Sequence, residues 1–167
     1  IAGLQIDFEY VPAKYAGAFT DYIRTLRAAL PREKTLHVAV FPPVGMPEAW
    51  RGFHDLPGLT AASDGVVVML YDYHRQGTSP GCVSGIGWLN ENARALATLP
   101  HDKIWLGAPL YGYRFHAKKT TALSKSGFQK IKASSAESDG CLQKDSGQSG
   151  AAFYPARRLY DEYDRLC

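Results

Sequence analysis

No apolar run in this chain approaches the roughly 18–20 residues a membrane-spanning helix needs, so nothing in it is read as a bilayer span. Cysteine is scarce. Three residues, Cys82, Cys141 and Cys167, fit neither a dense disulfide scaffold nor a paired zinc spacing. One bridge with one thiol left over, Cys141–Cys167 being the pair to test, and three unpaired thiols both stay open. The five histidines, His37, His54, His74, His101 and His116, show no i, i+4 pairing and no Cys/His cluster; they read as ordinary surface or core residues. No glycine-rich phosphate loop is present, and neither a metal nor a cofactor is expected. Charge of one sign is also lacking: 19 basic against 16 acidic residues leave +3, with no basic-aromatic clustering of the kind that binds nucleic acid. The chain has no initiator Met or polar leader and opens inside a strand-like run, which reads as a piece of a longer protein.

What is there is the composition of a globular domain with a real core: 167 residues, 46% hydrophobic and 12% aromatic. Val11-Pro12 turns into a helix in which Tyr15, Phe19, Tyr22, Ile23, Leu26 and Leu30 recur at helical spacing until Pro31. Thr35 to Phe41 is a β-branched strand closed by Pro42-Pro43. A loop follows, with a short helix near Leu56–Ala62. Gly65 to Tyr71 (GVVVMLY) is apolar almost throughout, as for a parallel strand covered on both faces. A helix from about Ile86 to Leu99 precedes a fourth strand, Lys103 to Gly112. The rhythm β-α-β-(α)-β-α-β, with crossovers of about 20–30 residues, predicts right-handed parallel βαβ units. Four parallel strands are expected near Ala2–Glu9, Leu36–Phe41, Val66–Tyr71 and Ile104–Leu110, adjacent in that order. Residues 1–117 form the βα-repeat portion. The Ser-, Gly- and Lys-rich residues 118–153 read as an exposed insertion, and Tyr154 to Cys167 as a helix.

The segment Gly3-Leu-Gln-Ile-Asp-Phe-Glu-Tyr10 carries Gln5, Asp7 and Glu9 at strand spacing, which puts them on one face of a strand. An amphipathic edge strand with an acidic solvent face has the same pattern. A polar row in a buried strand, by contrast, must line a cavity or satisfy itself. Two more strand ends decide between these. The third strand ends in Met69-Leu-Tyr71-Asp72 and the fourth in Pro109-Leu-Tyr111-Gly112. In parallel α/β architectures the catalytic groups collect at the carboxyl ends of strands, where the loops converge.

Here the chain resembles a known family. Gly3-Leu-Gln-Ile-Asp-Phe-Glu9 is similar to the fourth-strand signature D-G-x-D-x-D-x-E of glycoside hydrolase family 18, the chitinase-like enzymes. Met69-Leu-Tyr71-Asp72 resembles its sixth-strand M-x-Y-D, and Gly107-Ala-Pro-Leu-Tyr-Gly112 its seventh-strand G-x-P-x-Y-G. Asp-Phe-Glu-Tyr-Val-Pro12, Tyr71-Asp-Tyr-His74 and Ile86-Gly-Trp88 are most similar to the bacterial spore-cortex and peptidoglycan N-acetylglucosaminidase branch. The resemblance implies an α/β fold, part of a (β/α)8 TIM barrel holding strands four to seven, with the insertion that precedes the eighth. A complete barrel takes about 250 residues.

The implied chemistry is substrate-assisted and retaining, with the 2-acetamido group of the sugar as nucleophile. It implies Glu9 as general acid/base, Asp7 as the group that orients the acetamido and stabilises the oxazolinium charge, and Tyr71 as donor to the acetamido carbonyl. Asp72 would set the polarity of the site and Met69 its floor. Tyr111 would line a sugar subsite, although a packed core tyrosine accounts for it equally, and Trp88, Tyr73 and Tyr113 are weaker stacking candidates. Two departures stand out: Gln5 occupies a position where most chitinases carry Asp, and Ala2 replaces the outermost Asp. An amide there can hydrogen-bond but cannot share a proton with Asp7. The implied substrate is a β-1,4-linked N-acetylglucosamine polymer, peptidoglycan ahead of chitin, met outside the cell or in its envelope. The implied partners are that polysaccharide and either the remaining barrel strands or a second copy joined through open sheet edges. A lectin-like member of the fold that binds sugar without cleaving it, or a fragment inactive alone, are the alternatives; retention of both Asp7 and Glu9 favours the enzyme.

Overall fold

The structure, a computed structural model, describes residues 1–116, 119–124, 142–144 and 150–153. The chain divides into two units: Ile1–Met69 with Glu91–Gly107, and Leu70–Asn90 with Ala108–Cys167.

The first unit is built on a parallel sheet of β1 (Gly3–Ile6), β2 (Thr35–Val40), β3 (Gly65–Met69) and β4 (Ile104–Gly107), neighbours in that order. Order and direction are those the sequence rhythm predicts. The two inner strands hold the core: Leu36, Val38, Val40, Val66 and Val68 are fully buried. Such β-branched runs suit strands covered on both faces. Helix α1 (Ala16–Ala29) buries Phe19, Thr20 and Ile23, and ends at an extended Leu30 ahead of Pro31. It packs against α3 (Leu56–Ala62), which buries Leu59, Thr60 and Ala62. A polar tie fixes this layer to the sheet. Asp64 Oδ2 accepts the Leu36 N–H at 2.7 Å and Arg27 Nη1 at 3.0 Å. Helix α2 (Glu48–Arg51) lies in the long β2–α3 connection, and α4 (Ile86–Leu96) precedes β4. Fully buried Asn92 on α4 clamps the chain beyond β2: its Oδ1 accepts the Val44 N–H at 3.0 Å and its Nδ2 donates to the Val44 carbonyl at 3.4 Å. Among the described residues no helix is long and apolar enough to cross a membrane.

Three strand ends differ from expectation. β1 stops at Ile6 rather than Glu9, and β3 at Met69 rather than Tyr71. β4 stops at Gly107, so Tyr111 does not belong to it. Pro109 has no N–H to give a ladder, and Tyr111 instead opens β5 (Tyr111–His116) in the second unit.

That unit contains an antiparallel sheet in the order β6-β5-β8-β7, with β6 (Lys119–Ser124), β7 (Leu142–Lys144) and β8 (Gly150–Phe153). These three strands fall in the stretch read as an insertion. Sequences such as KTTALS and LQK carry no clear alternation, so their pairing is set by the neighbouring strand rather than by a local apolar pattern. The helix expected over Tyr154–Cys167 lies outside the described residues. Cys82 is disulfide-bonded. That overturns the reading with three unpaired thiols; Cys141 and Cys167, the pair to test, lie outside the described residues.

Candidate active site

In the first unit, parallel pairing sets the carboxyl ends of β1 to β4 along one edge of the sheet. Asp7 and Glu9 follow β1 directly on that edge, and Met69 closes β3 there. The expectation that Gln5, Asp7 and Glu9 form one face of one strand is corrected. Gln5 lies within β1, whereas Asp7 and Glu9 lie on the extension beyond it. Gln5 and Asp7 are exposed, Glu9 is half-buried, and Met69 is buried.

The extension is held from its other side. Phe8 stacks on Phe19 and Tyr22 of α1, at ring separations of 5.7 and 6.2 Å. Its carbonyl is 3.0 Å from Nε2 of His54, whose Nδ1 accepts the Phe41 N–H at 3.1 Å. No local sequence pattern signals this contact. His54 sits between Phe53 and Asp55, and Asp55 caps α3 by accepting the Gly58 N–H. That cap, with the bond from the His54 N–H to the Arg51 carbonyl at 2.9 Å, fixes the histidine backbone.

In the second unit, Tyr71, Asp72, Tyr111 and Tyr113 come together. Asp72 Oδ1 accepts the hydroxyls of Tyr111 at 2.6 Å and Tyr113 at 3.0 Å. The Tyr71 and Tyr111 rings meet at 6.3 Å, edge to face. Burial raises the pKa of Tyr111 above the usual phenol value, reinforced by its bond to Asp72. Burial, then the Asp72 charge, pushes Tyr113 up to about 12. Two phenols that spend their hydrogens on one carboxylate leave an acceptor-rich polar group, suited to donation from sugar hydroxyls. Tyr113, a weak stacking candidate in the sequence, is a hydrogen-bonding member of this group. Trp88 is buried, 5% exposed, and stacks on Tyr73 at 4.8 Å. Tyr73, 37% exposed, presents the outward ring of that pair.

Among the described residues, the non-glycine ones with positive φ are Tyr10, at 57°, and Asp72, at 60°. One directly follows Glu9 and the other directly follows Tyr71. Backbone of this kind is uncommon, more so for a bulky tyrosine, and concentrates where side chains must be aimed. Among the described residues no group of three or more His, Cys, Asp or Glu could hold a metal ion.

Comparison with known proteins follows these motifs. The model of the glycosyl hydrolases family 18 matches residues 1–163. The YdhD protein of Bacillus subtilis is 34% identical over 113 residues, 66% of this chain and 27% of that protein. A cortical fragment-lytic enzyme of Bacillus anthracis is 31% identical over 113 residues, again 66% of this chain and 26% of that protein. The crystal structure of Bacillus subtilis YdhD superposes with a TM-score of 0.82 at 27% identity, covering 99% of this chain and 60% of that one. The chain thus spans about a quarter of the length of the curated relatives it matches.

Proposed function

Because the chain belongs to glycosyl hydrolase family 18, we propose that it is part of a glycosidase that cleaves β-1,4 bonds next to N-acetylglucosamine with retention of configuration. In this reading β1 to β4 are strands four to seven of the (β/α)8 barrel. Glu9 protonates the glycosidic oxygen and then activates water for the second step. The acetamido oxygen of the substrate is the nucleophile. Asp7 accepts a hydrogen bond from the acetamido N–H, turns the carbonyl oxygen towards the anomeric carbon, and balances the positive charge of the oxazolinium. Tyr71 donates to the same carbonyl oxygen.

Met69 floors the site, and Gln5 adds a neutral amide beside Asp7. Asp72 holds Tyr111 and Tyr113 through Oδ1, which leaves Oδ2 to accept from a sugar hydroxyl. Peptidoglycan is preferred over chitin, and the cell envelope or exterior as the place of action. The support for both is the likeness to the protein of Bacillus anthracis named a cortical fragment-lytic enzyme.

The observation that carries the reading is the placement of Asp7 and Glu9, two residues apart, immediately beyond the carboxyl end of a parallel strand. A purely sugar-binding protein has no need of the acid. Glu9→Gln in the full-length protein is expected to lower turnover of N-acetylglucosamine oligomers by ~10²-fold or more while oligomer binding survives. Undiminished cleavage by that variant overturns the assignment. Binding without cleavage in the wild type favours a lectin.

A further inference from the structure

The β1–β2 ladder runs from Gly3 opposite Thr35 to Ile6 opposite Val38. Continued, that register would set Phe8 beside Val40 and Glu9 beside Phe41. Here the strands stop pairing and a side chain takes over. His54, 6% exposed, bridges the Phe41 N–H at 3.1 Å and the Phe8 carbonyl at 3.0 Å.

The chemistry of the two partners fixes its state. A backbone N–H can only donate, so Nδ1 must carry a lone pair; a carbonyl can only accept, so Nε2 must carry the proton. This is neutral imidazole in one tautomer. Adding a proton places an Nδ1–H against the Phe41 N–H, donor against donor, and breaks one end of the bridge.

We propose that His54 is a positioning residue that holds Asp7 and Glu9 in register beyond the end of β1, and that its protonation releases them. The inference rests on the roles assigned above to those two carboxyls. Phe8 stands between them, so the bridge constrains the peptide groups on both sides.

The surroundings keep the ring neutral. From α1, from the end of β2 and from its own loop it meets the rings of Phe19, Phe41 and Phe53, at 6.2, 5.5 and 5.3 Å, none of which titrates. Along the chain the ionisable neighbours are Asp7 and Glu9 on the β1 side and Arg51 and Asp55 on its own. Burial lowers the pKa of His54 below the usual histidine value, against the opposing pulls of the Phe8 carbonyl and the Asp7 charge. The bridge is therefore intact at neutral pH and is lost only in acid.

The test is an imidazole titration by long-range 1H–15N NMR on the full 167-residue chain, read beside the backbone amides of residues 7 to 9. The expected result is an Nε2–H tautomer at pH 7 and a midpoint below 6.5. The amides of Asp7, Phe8 and Glu9 should shift at that same midpoint, a shift missing in His54→Gln. In the full-length protein, His54→Gln and His54→Phe should each lower kcat by ~10-fold or more with little change in KM. His54→Gln, whose amide does not titrate, should also alter the acid limb of the pH profile. An Nδ1–H tautomer, a cationic ring at pH 7, or amides indifferent to the titration overturns the proposal; so does an unchanged kcat in His54→Phe. The NMR arm requires no turnover, so it decides the bridge even if Glu9→Gln shows the glycosidase reading to be wrong.

Discussion

Tyr111 donates its phenolic hydrogen to Asp72 Oδ1 across 2.6 Å. The carboxylate that receives it sits on a backbone of positive φ and receives Tyr113 on the same oxygen. Position and orientation of this acid are thus set twice, by its own backbone and by two phenols.

The first prediction is an alkaline one. Tyr113 is held up to about 12 and Tyr111 is raised as well, burial being the first cause for both. An unfolded tyrosine titrates near 10. Their contribution to stability is therefore complete below about pH 10, and Tyr113's share is lost as pH rises from there towards 12, because the unfolded chain gives up protons that the folded one keeps. Absorbance of tyrosinate should show exposed phenols ionising first and these two late. Asp72→Asn should bring the late ionisation earlier; an unchanged curve would show that the carboxylate does not act on them.

The second concerns turnover. Under the proposed mechanism Tyr71→Phe removes one donor to the oxygen that develops charge, which should lower kcat by ~10²-fold and leave KM nearly unchanged. Kinetics of the full-length variant on N-acetylglucosamine oligomers decide it. A rise in KM alone would make Tyr71 a binding residue.

The third concerns stability. Asn92→Ala leaves both polar groups of Val44 without their side-chain partner, at a cost of ~1–3 kcal/mol. Denaturant titration of wild type and variant measures it. A change within experimental error would show that the clamp is dispensable.

The fourth concerns association. Among the described residues β1 and β4 each pair on one side only, and Leu4, Trp105 and Leu106 on them are exposed. Open strands pair with whatever edge is at hand. The 167-residue chain alone is expected to associate with rising concentration in size-exclusion chromatography with light scattering, and to turn over substrate poorly. A monomer at every concentration with full turnover would refute this.

The order and direction of β1 to β4 were legible because each strand is a compact apolar run and each crossover is long enough for a helix. Asp7, Glu9, Tyr71 and Asp72 were legible as candidates because their motifs are local. The early end of β1 was not. Its pairing gives way where His54 intervenes, 46 residues along the chain from Phe8, and no local pattern announces a contact of that separation. The bond from Tyr113 to Asp72 was hidden for a similar reason: the two lie 41 residues apart. Trp88 and Tyr73 read alike in sequence as aromatic candidates; that one is buried and the other half-exposed is a property of the fold.

Gly65 stands opposite His37 in the β2–β3 ladder. A Cβ there would come within 3.0 Å of His37 Cδ2 and 3.1 Å of Trp105 Nε1. Over this hydrogen-only position the two rings meet edge to face at 5.9 Å, so β2 touches β4 directly across the strand that separates them. Substitutions at second-neighbour strands are ordinarily additive. At His37 and Trp105 they should not be: a double-mutant cycle should return a coupling energy between strands that share no backbone bond, and Gly65→Ala should abolish it. The sheet therefore carries a lateral spring one strand wide, and a single methyl group is enough to cut it.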